Sequence, residues 1–445
     1  MPLPERVEEP SATAPGLAGD VFGSRRPVPG QRSEIRFISD PLLRGSMKLG
    51  PALKTYTDDG QRTVDPATTL RRIEPLCKPA GITRVADITG LDRVGIPVFS
   101  SIRPDAGSGA ITVYNGKGAT KEQAKVSAIM EALERYSGEV RGDDLVRMGV
   151  EDMLSSHNAI DPRTLILPRR IEAHLMYQAV AWVEGYDLQE EERIYVPASA
   201  VFHPYSSRLD MPLFRTNTNG LASGNTMEEA LVHGLCEVVE RDAWSICESR
   251  RKLVGDIQPP NDDGLIASML EMFSSQGIEV HLKDLTSDIG LPTFAAAADD
   301  AQLQDPALLC LGMGTHLNPR ITVIRALTEV AQSRLTQIHG AREDTTRGGP
   351  ARQIGYERMK RLNSIWFSQG KGSRPLSSFA GLDTPDLYED LKVILERLNR
   401  RGFERAVAVD LTRSELGIPV VKVVVPGMEV YAMDEERAGP RLQRG

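Results

Sequence analysis

One helical register, written twice and then a third time in altered form, limits what this chain can become. Around Ser127 the sequence reads KVSAIMEALERYS, and around His233 it reads LVHGLCEVVERDAW. At about 100° per residue, an α-helix puts Ser127, Glu131, Glu134 and Arg135 on one side and Val126, Ile129, Met130 and Leu133 on another. In the second segment His233, Glu237, Glu240 and Arg241 take the same polar places over Val232, Leu235, Cys236 and Val239. A third segment, VIRALTEVAQSR, sets Arg325, Glu329 and Gln332 at matching offsets over Ile324, Leu327 and Ala331.

A lone amphipathic helix ordinarily turns such a face to solvent, where an i,i+4 Glu–Arg pair contributes only about 0.3–0.5 kcal/mol. Three helices in one register predict convergence instead. Glu131, Glu134, Glu237, Glu240 and Glu329 would then share a cleft, and like charges at close range are costly unless a cation joins them. Mg2+ usually binds through few carboxylates together with substrate phosphates, and Arg135, Arg241 and Arg325 supply charge-assisted donors for phosphate oxygens. The pattern therefore predicts a helix-lined site for a nucleoside triphosphate. Lys117 sits in the GKG of residues 116–118, read as a flexible turn that brings its ammonium and backbone N–H groups to a phosphate near a helix start. Lys121 and Lys125 follow closely and add positive charge. GKG is not a Walker A loop, because the upstream glycine and the final hydroxyl are both missing. HExxH, GxSxG and GxGxxG-plus-acid patterns are absent, which removes the common hydrolase and dehydrogenase readings.

Around this register, helical runs at residues 120–140, 227–251, 263–276, 321–338 and 387–400 interleave with β-like runs at 96–102, 111–114, 179–182, 194–196, 293–297, 308–311, 405–409 and 420–425. Such interleaving predicts a mixed α/β architecture. The polar, Gly-rich stretch 340–378 reads as a long loop or lid. Residues 1–45 carry seven prolines among Gly, Ser and charge, a mix too poor in apolar surface to fold, so they read as a disordered arm. The expected organisation is that arm, an N-terminal part of the folded unit at 46–110, and a domain at 111–445 that carries the triphosphate site. A net charge of -8 opposes nucleic acid. Apolar runs are too short to span a bilayer and residues 1–30 lack a secretory apolar stretch, so a cytoplasmic protein without membrane contact is expected. Four cysteines without a CxxC pair read as reduced packing residues.

From about residue 70 onward the chain resembles the YcaO family. The resemblance rests on GKGATKEQAKVSAIMEALERYSGE, NTNGLASGNTMEEALVHGLCEVVERDAW, GMGTHLNPRITVIRALTEVAQSR and VVKVVVPGMEVY. It implies a YcaO-type mixed sheet-and-helix fold with ATP and Mg2+ as cofactors. Glu131, Glu134, Glu237 and Glu240 would be the catalytic, metal-holding carboxylates; Ser127, Arg135, Arg241, Arg325, Glu329 and Gln332 would bind ATP, joined by Lys117. His233 stands where the family's second motif often begins with Gln or Glu, and its role is open.

The resemblance further implies ATP-dependent activation of a peptide backbone amide by O-phosphorylation. Azoline-forming members end in a Pro-rich PxPxP tail, whereas this chain ends in AGPRLQRG. The expectation is thus a thioamide made with an external sulfur source, as in TfuA-associated, methanogen-type members that modify a glycine of the methyl-coenzyme M reductase alpha subunit. A ribosomal peptide natural-product precursor as substrate, by thioamidation or cyclodehydration, stays open, as does an accessory ATP-binding role. Expected partners are a peptide or protein substrate, a TfuA-like protein, sulfide or a sulfur carrier, and a second copy in a homodimer.

Overall fold

The computed structural model describes residues 47–445 except 142, 144, 173–174, 176–177, 211, 261, 345–347, 371 and 444–445, so the expected arm at 1–45 lies outside the described residues. The chain runs through α1 (Pro66–Ile73), β1 (Arg84–Asp87), β2 (Val98–Ile102), β3 (Val113–Lys117), α2 (Lys121–Gly138), β4 (Val146–Gly149), α3 (Val150–Ser156) and α4 (Arg169–Glu172). It continues with β5 (Ala179–Asp187), β6 (Glu192–Pro197), α5 (Ala198–Val201), β7 (Leu221–Ser223), α6 (Met227–Arg250), β8 (Gly255–Gln258), α7 (Gly264–Ser274), β9 (Ile278–Asp284) and β10 (Thr293–Asp300). The last part holds β11 (Cys310–Thr315), α8 (Pro319–His339), α9 (Gly348–Ile354), α10 (Tyr356–Leu362), α11 (Ser364–Phe367), β12 (Ser373–Pro375), α12 (Leu387–Asn399), β13 (Val407–Asp410) and β14 (Val420–Val424).

Three sheets result, ordered β1-β2-β3, β11-β10-β9-β8-β12, and β4-β5-β13-β14-β7 with β6 beside β5. Each carries one helix of the repeated register. α2 lies on β2 and β3 over Ile129, Ala132 and Leu133; α8 lies on β10 and β11 over Ile324, Leu327 and Ala331; α6 lies on β7 and β14 over Leu235, Cys236 and Val239, with α12 alongside. Every one of these side chains is buried, and full burial of a Leu or Ile contributes about 1.5–3 kcal/mol. The apolar stripes thus anchor three helices to three sheets and leave their polar faces to meet in the middle.

The starts of these helices follow local chemistry. Thr120 accepts from Gln123 N, Thr226 from Glu229 N, and Asn318 from Arg320 N and Ile321 N, with Pro319 in the first turn. The T-x-x-Q and T-x-x-E spacings are capping-box patterns, each cap contributing about 1 kcal/mol.

Three readings of the sequence are corrected. GKG is not a flexible turn: Gly116 and Lys117 complete β3, and a Cβ on Gly116 would stand 1.9 Å from Ala128 N of α2. The glycine is there to let the helix backbone ride close, and Gly312 does the same for α8, where a Cβ would meet Val330 N at 2.1 Å. Nor do its N–H groups wait for phosphate, since Gly118 N donates to Pro97 O at 3.3 Å and Ala119 N to Gln123 Oε1 at 2.9 Å. The stretch 340–378 is not a structureless lid either, because α9, α10, α11 and β12 fall within it. Trp366 and Phe367 anchor it in a core with Ala243, Cys247 and Met313, and their wide spacing from Ala351 and Tyr356 hid the short helices. The β-like run 308–311 divides into a 3-10 turn at Pro306–Leu308 and the start of β11. All four cysteines are free, three of them buried. Among the described residues no helix is long and apolar enough to cross a membrane.

Candidate functional site

The polar faces of α2, α6 and α8 line one cavity of about 860 Å3, within the size range of ligand sites. All eleven side chains singled out above border it: Lys117 from the end of β3, Ser127, Glu131, Glu134 and Arg135 from α2, Glu237, Glu240 and Arg241 from α6, and Arg325, Glu329 and Gln332 from α8. Cations and carboxylates alternate across it. Arg135 Nε donates to Glu131 Oε1 at 2.9 Å; Arg241 Nη2 lies 3.5 Å from Glu237 Oε1 and 3.9 Å from Glu240 Oε1; Lys117 bonds Glu329 on the opposite helix. Gly220 N donates to Glu237 Oε2 at 3.3 Å, and Ser223 Oγ to Glu134 Oε2 at 3.1 Å. Gln332 is partly committed to the scaffold, donating to Asn115 O at 2.9 Å.

The five carboxylates are not equivalent. Glu134 and Glu240 are 5% and 3% exposed, whereas the side chains of Glu131, Glu237 and Glu329 keep 28%, 21% and 24%. Burial, then the Glu131 charge, pushes the Glu134 carboxyl well above the usual carboxylate range. Burial likewise raises Glu240 to about 7, with Arg241 opposing and Glu329 adding. For Glu131 and Glu329 burial also disfavours the charge, but Arg135 and Lys117 respectively outweigh it and hold both below the ordinary value. Two acidic groups are therefore driven toward protonation by burial first and by neighbouring carboxylate charge second, and a divalent cation among them would favour their charged forms. Arg241 Nε and Arg325 Nε are buried without a protein hydrogen-bond partner.

The family model described as YcaO cyclodehydratase, ATP- and Mg2+-binding, matches residues 115–429, which hold all of these side chains. The chain belongs to the YcaO family. It is 49% identical over 389 residues to an uncharacterized protein of Methanothermobacter thermautotrophicus, covering 86% of this chain and 98% of that one. It is 34% identical over 406 residues to an uncharacterized protein in the tfuA 3' region of Rhizobium leguminosarum bv. trifolii, covering 88% and 94%. Among solved structures it resembles YcaO from Methanopyrus kandleri bound with AMPPCP and Mg2+, at 32% identity and a TM-score of 0.72 over 87% of this chain and 98% of the other.

As a YcaO protein the chain takes ATP and Mg2+ as cofactors, and its donor set fits them: oxygen ligands for a hard cation, guanidinium and ammonium groups for phosphates. The carboxylates stand apart, however. Among the described residues, the set of three ligand-type side chains with donor atoms within 4.8 Å of one another is Glu279, His281 and Asp299 on β9 and β10, none of which borders the cleft. Asp299 there is already held by Lys360 at 2.5 Å and by the Tyr356 hydroxyl. A cation in the cleft would accordingly be held by few carboxylates at a time, the habit of Mg2+ bound with phosphates.

His233 borders the cleft and its Nε2 lies 3.3 Å from Arg325 Nη2, so the imidazole accepts and is neutral. Burial, then Arg325, keeps its pKa well below the usual histidine value. Lys121 and Lys125, by contrast, turn away: they pair with Asp87 at 2.9 Å and Glu74 at 2.5 Å. Residues not singled out from the sequence also line the cleft, among them Arg62, Thr69, Asn225, Trp244 and His316. Arg62 bonds Glu229 at 3.2 Å and Thr69 bonds Asn225 at 3.1 Å, tying the segment before β1 to the start of α6. Lys422, from the near-terminal segment, is buried within reach of the Glu237 and Glu134 charges, and burial lowers it to about 7. Trp244 extends the polar register of α6 by one turn beyond Glu240, a signal the spacing offered; nothing in the local periodicity of Arg62, Thr69, Asn225 or His316 marks them.

Proposed function

We propose that the cleft binds ATP with Mg2+ and that the chain uses it to convert a peptide backbone amide into a thioamide. The observation that carries this reading is the meeting of five carboxylates and four cations, brought from three different sheets, in one cleft of a chain 32% identical to a YcaO structure bound with AMPPCP and Mg2+. When bound, ATP with Mg2+ supplies the phosphoryl group that turns the amide oxygen into a leaving group, so that added sulfide replaces it as phosphate departs and ADP is left. Glu131, Glu134, Glu237 and Glu240 would hold the metal, a few of them at a time. Lys117, Arg135, Arg241 and Arg325 neutralise phosphate oxygens, while Ser127, Glu329 and Gln332 complete the nucleotide's surroundings. Residues 111–445 form the catalytic domain in this reading, with 46–110 adding Arg62 and Thr69 to the cleft wall.

Relatives from two methanogens support a glycine of the methyl-coenzyme M reductase alpha subunit as the amide, and the tfuA-linked relative supports a TfuA-like partner beside the sulfur source. The name of the matched family favours a second reading, cyclodehydration of a peptide precursor. Product mass separates the two. Incubation with ATP, Mg2+, sulfide and a glycine-containing reductase peptide should add about 16 Da, the exchange of oxygen for sulfur, with one ADP per product. Loss of water from a Cys or Ser peptide would establish cyclodehydration instead.

A further inference from the structure

Past the carboxylates the cleft opens into a lobe of different chemistry. Its walls are Trp244 of α6, Leu309 and Leu311 at β11, Met359 of α10, and Trp366 and Phe367 of α11. Trp366 and Phe367 are buried and form its floor, whereas Trp244, Leu309, Leu311 and Met359 are half-buried with apolar surface bordering the cavity. Trp244 follows Glu240 by four residues, so its indole stands one helical turn, about 6 Å, along the same face of α6. The Arg241 guanidinium lies 5.4 Å from its ring and separates the charged part of the cleft from the apolar part. The two indole N–H groups differ: Trp366 Nε1 donates to Glu248 Oε2 at 3.3 Å, while Trp244 Nε1 is buried with no protein partner. A buried donor left unpaired is costly, so it marks a place where an acceptor belongs.

A polyanionic triphosphate gains nothing from such walls; its match is the cluster of Lys117, Arg135, Arg241 and Arg325. An extended polypeptide matches both features at once, an apolar side chain for the walls and backbone carbonyls for the free N–H. Taking the proposed reaction at the neighbouring carboxylates as given, we propose that this lobe is a specificity pocket for a large apolar side chain of the substrate polypeptide, flanking the amide to be activated, with Trp244 Nε1 donating to a carbonyl of the same segment. Continuity with the cleft places the flanking residue within one or two positions of the reacting glycine.

The test uses the full chain and two acetylated, amidated tetrapeptides, Ala-Gly-Phe-Ala and Ala-Gly-Ala-Ala, titrated calorimetrically with and without AMPPCP and Mg2+, beside fluorescence titration of mant-ATP with Mg2+. The Phe peptide should bind about tenfold tighter or more than the Ala peptide, the size of effect expected for filling an apolar pocket. Leu311→Glu should abolish that preference and leave mant-ATP affinity within about twofold. Trp244→Phe, which keeps an aromatic ring and removes the N–H, should weaken the Phe peptide about threefold to tenfold with the melting temperature unchanged. Equal affinity for the two peptides, or no binding of either at about 5 mM, overturns the proposal. So does a Leu311→Glu protein that loses mant-ATP as strongly as peptide, which would make the lobe a base-binding site. Failure of mant-ATP to bind, or binding without need of Mg2+, refutes the ATP reading itself, and the peptide comparison without nucleotide still decides the lobe.

Discussion

Replacing Glu240 by Gln should make the protein more stable and less active, and the gain should depend on pH. Glu240 is 3% exposed and its carboxyl is raised from 4.5 to about 7 in the folded chain. Because the folded value lies above the unfolded one, the folded chain keeps the proton through the window from about 4.5 to 7 while the unfolded chain has lost it. The group's full contribution is therefore present below about 4.5 and falls away as pH rises through 7. At about 1.4 kcal/mol per unit, the loss complete by pH 8 is about 3 kcal/mol, and coupling among the charges of the cleft leaves about 1–3 kcal/mol to be observed. Gln keeps the volume and has no charge to bury. Denaturant unfolding in EDTA should find Glu240→Gln equal to the parent at pH 4 and more stable by that amount at pH 8, a rise of roughly 2–5 °C in melting temperature. Adding Mg2+ and AMPPCP at pH 8 should stabilise the parent and not the variant, since a ligand stabilises only the state that binds it. ATP consumption should fall by about a hundredfold or more. A variant less stable than the parent at pH 8, or one that still hydrolyses ATP, would refute the reasoning.

The other cleft residues give sharper contrasts. Glu131→Gln and Glu237→Gln should each lower ATP consumption about a hundredfold while far-UV circular dichroism stays that of the parent, because both side chains face the cavity and not a core. Lys117→Ala should weaken mant-ATP binding about tenfold yet change unfolding free energy by less than about 1 kcal/mol, since its ion pair with Glu329 is partly solvated. Gly116→Ala should do the reverse in kind, destabilising by about 3 kcal/mol or more in chemical denaturation, because its methyl would meet the α2 backbone at Ala128.

Local spacing carried a good deal of this protein. The three amphipathic segments became α2, α6 and α8 with the apolar stripes inward, because a 3.6-residue period is a property of neighbouring residues and survives in any tertiary setting. The shared polar register that pointed to a phosphate and metal cleft is legible for the same reason, whereas the caps at Thr120, Thr226 and Asn318 are identified from the structure. Short or irregular pieces were not legible. The helices α9 to α11 exist because Trp366 and Phe367 find a core built by β10, β11 and α6, a contact that local polarity conceals.

What the tertiary structure alone decided is how the polar faces meet. Each carboxylate helix rides on a different sheet, and the pairing of β14 with its chain neighbour β13 on one side and with β7, remote in sequence, on the other sets where α6 lies. That arrangement buries Glu134 and Glu240 while leaving Glu131, Glu237 and Glu329 partly exposed, though all five share one pattern in the sequence. It recruits Arg62, Thr69 and His316 from segments with no periodic signal, and it turns Lys121 and Lys125 outward although they stand beside Lys117 in the chain. Burial and partnership are properties of contacts between distant residues, so the sequence could name the chemistry while only the packed sheets could distribute it.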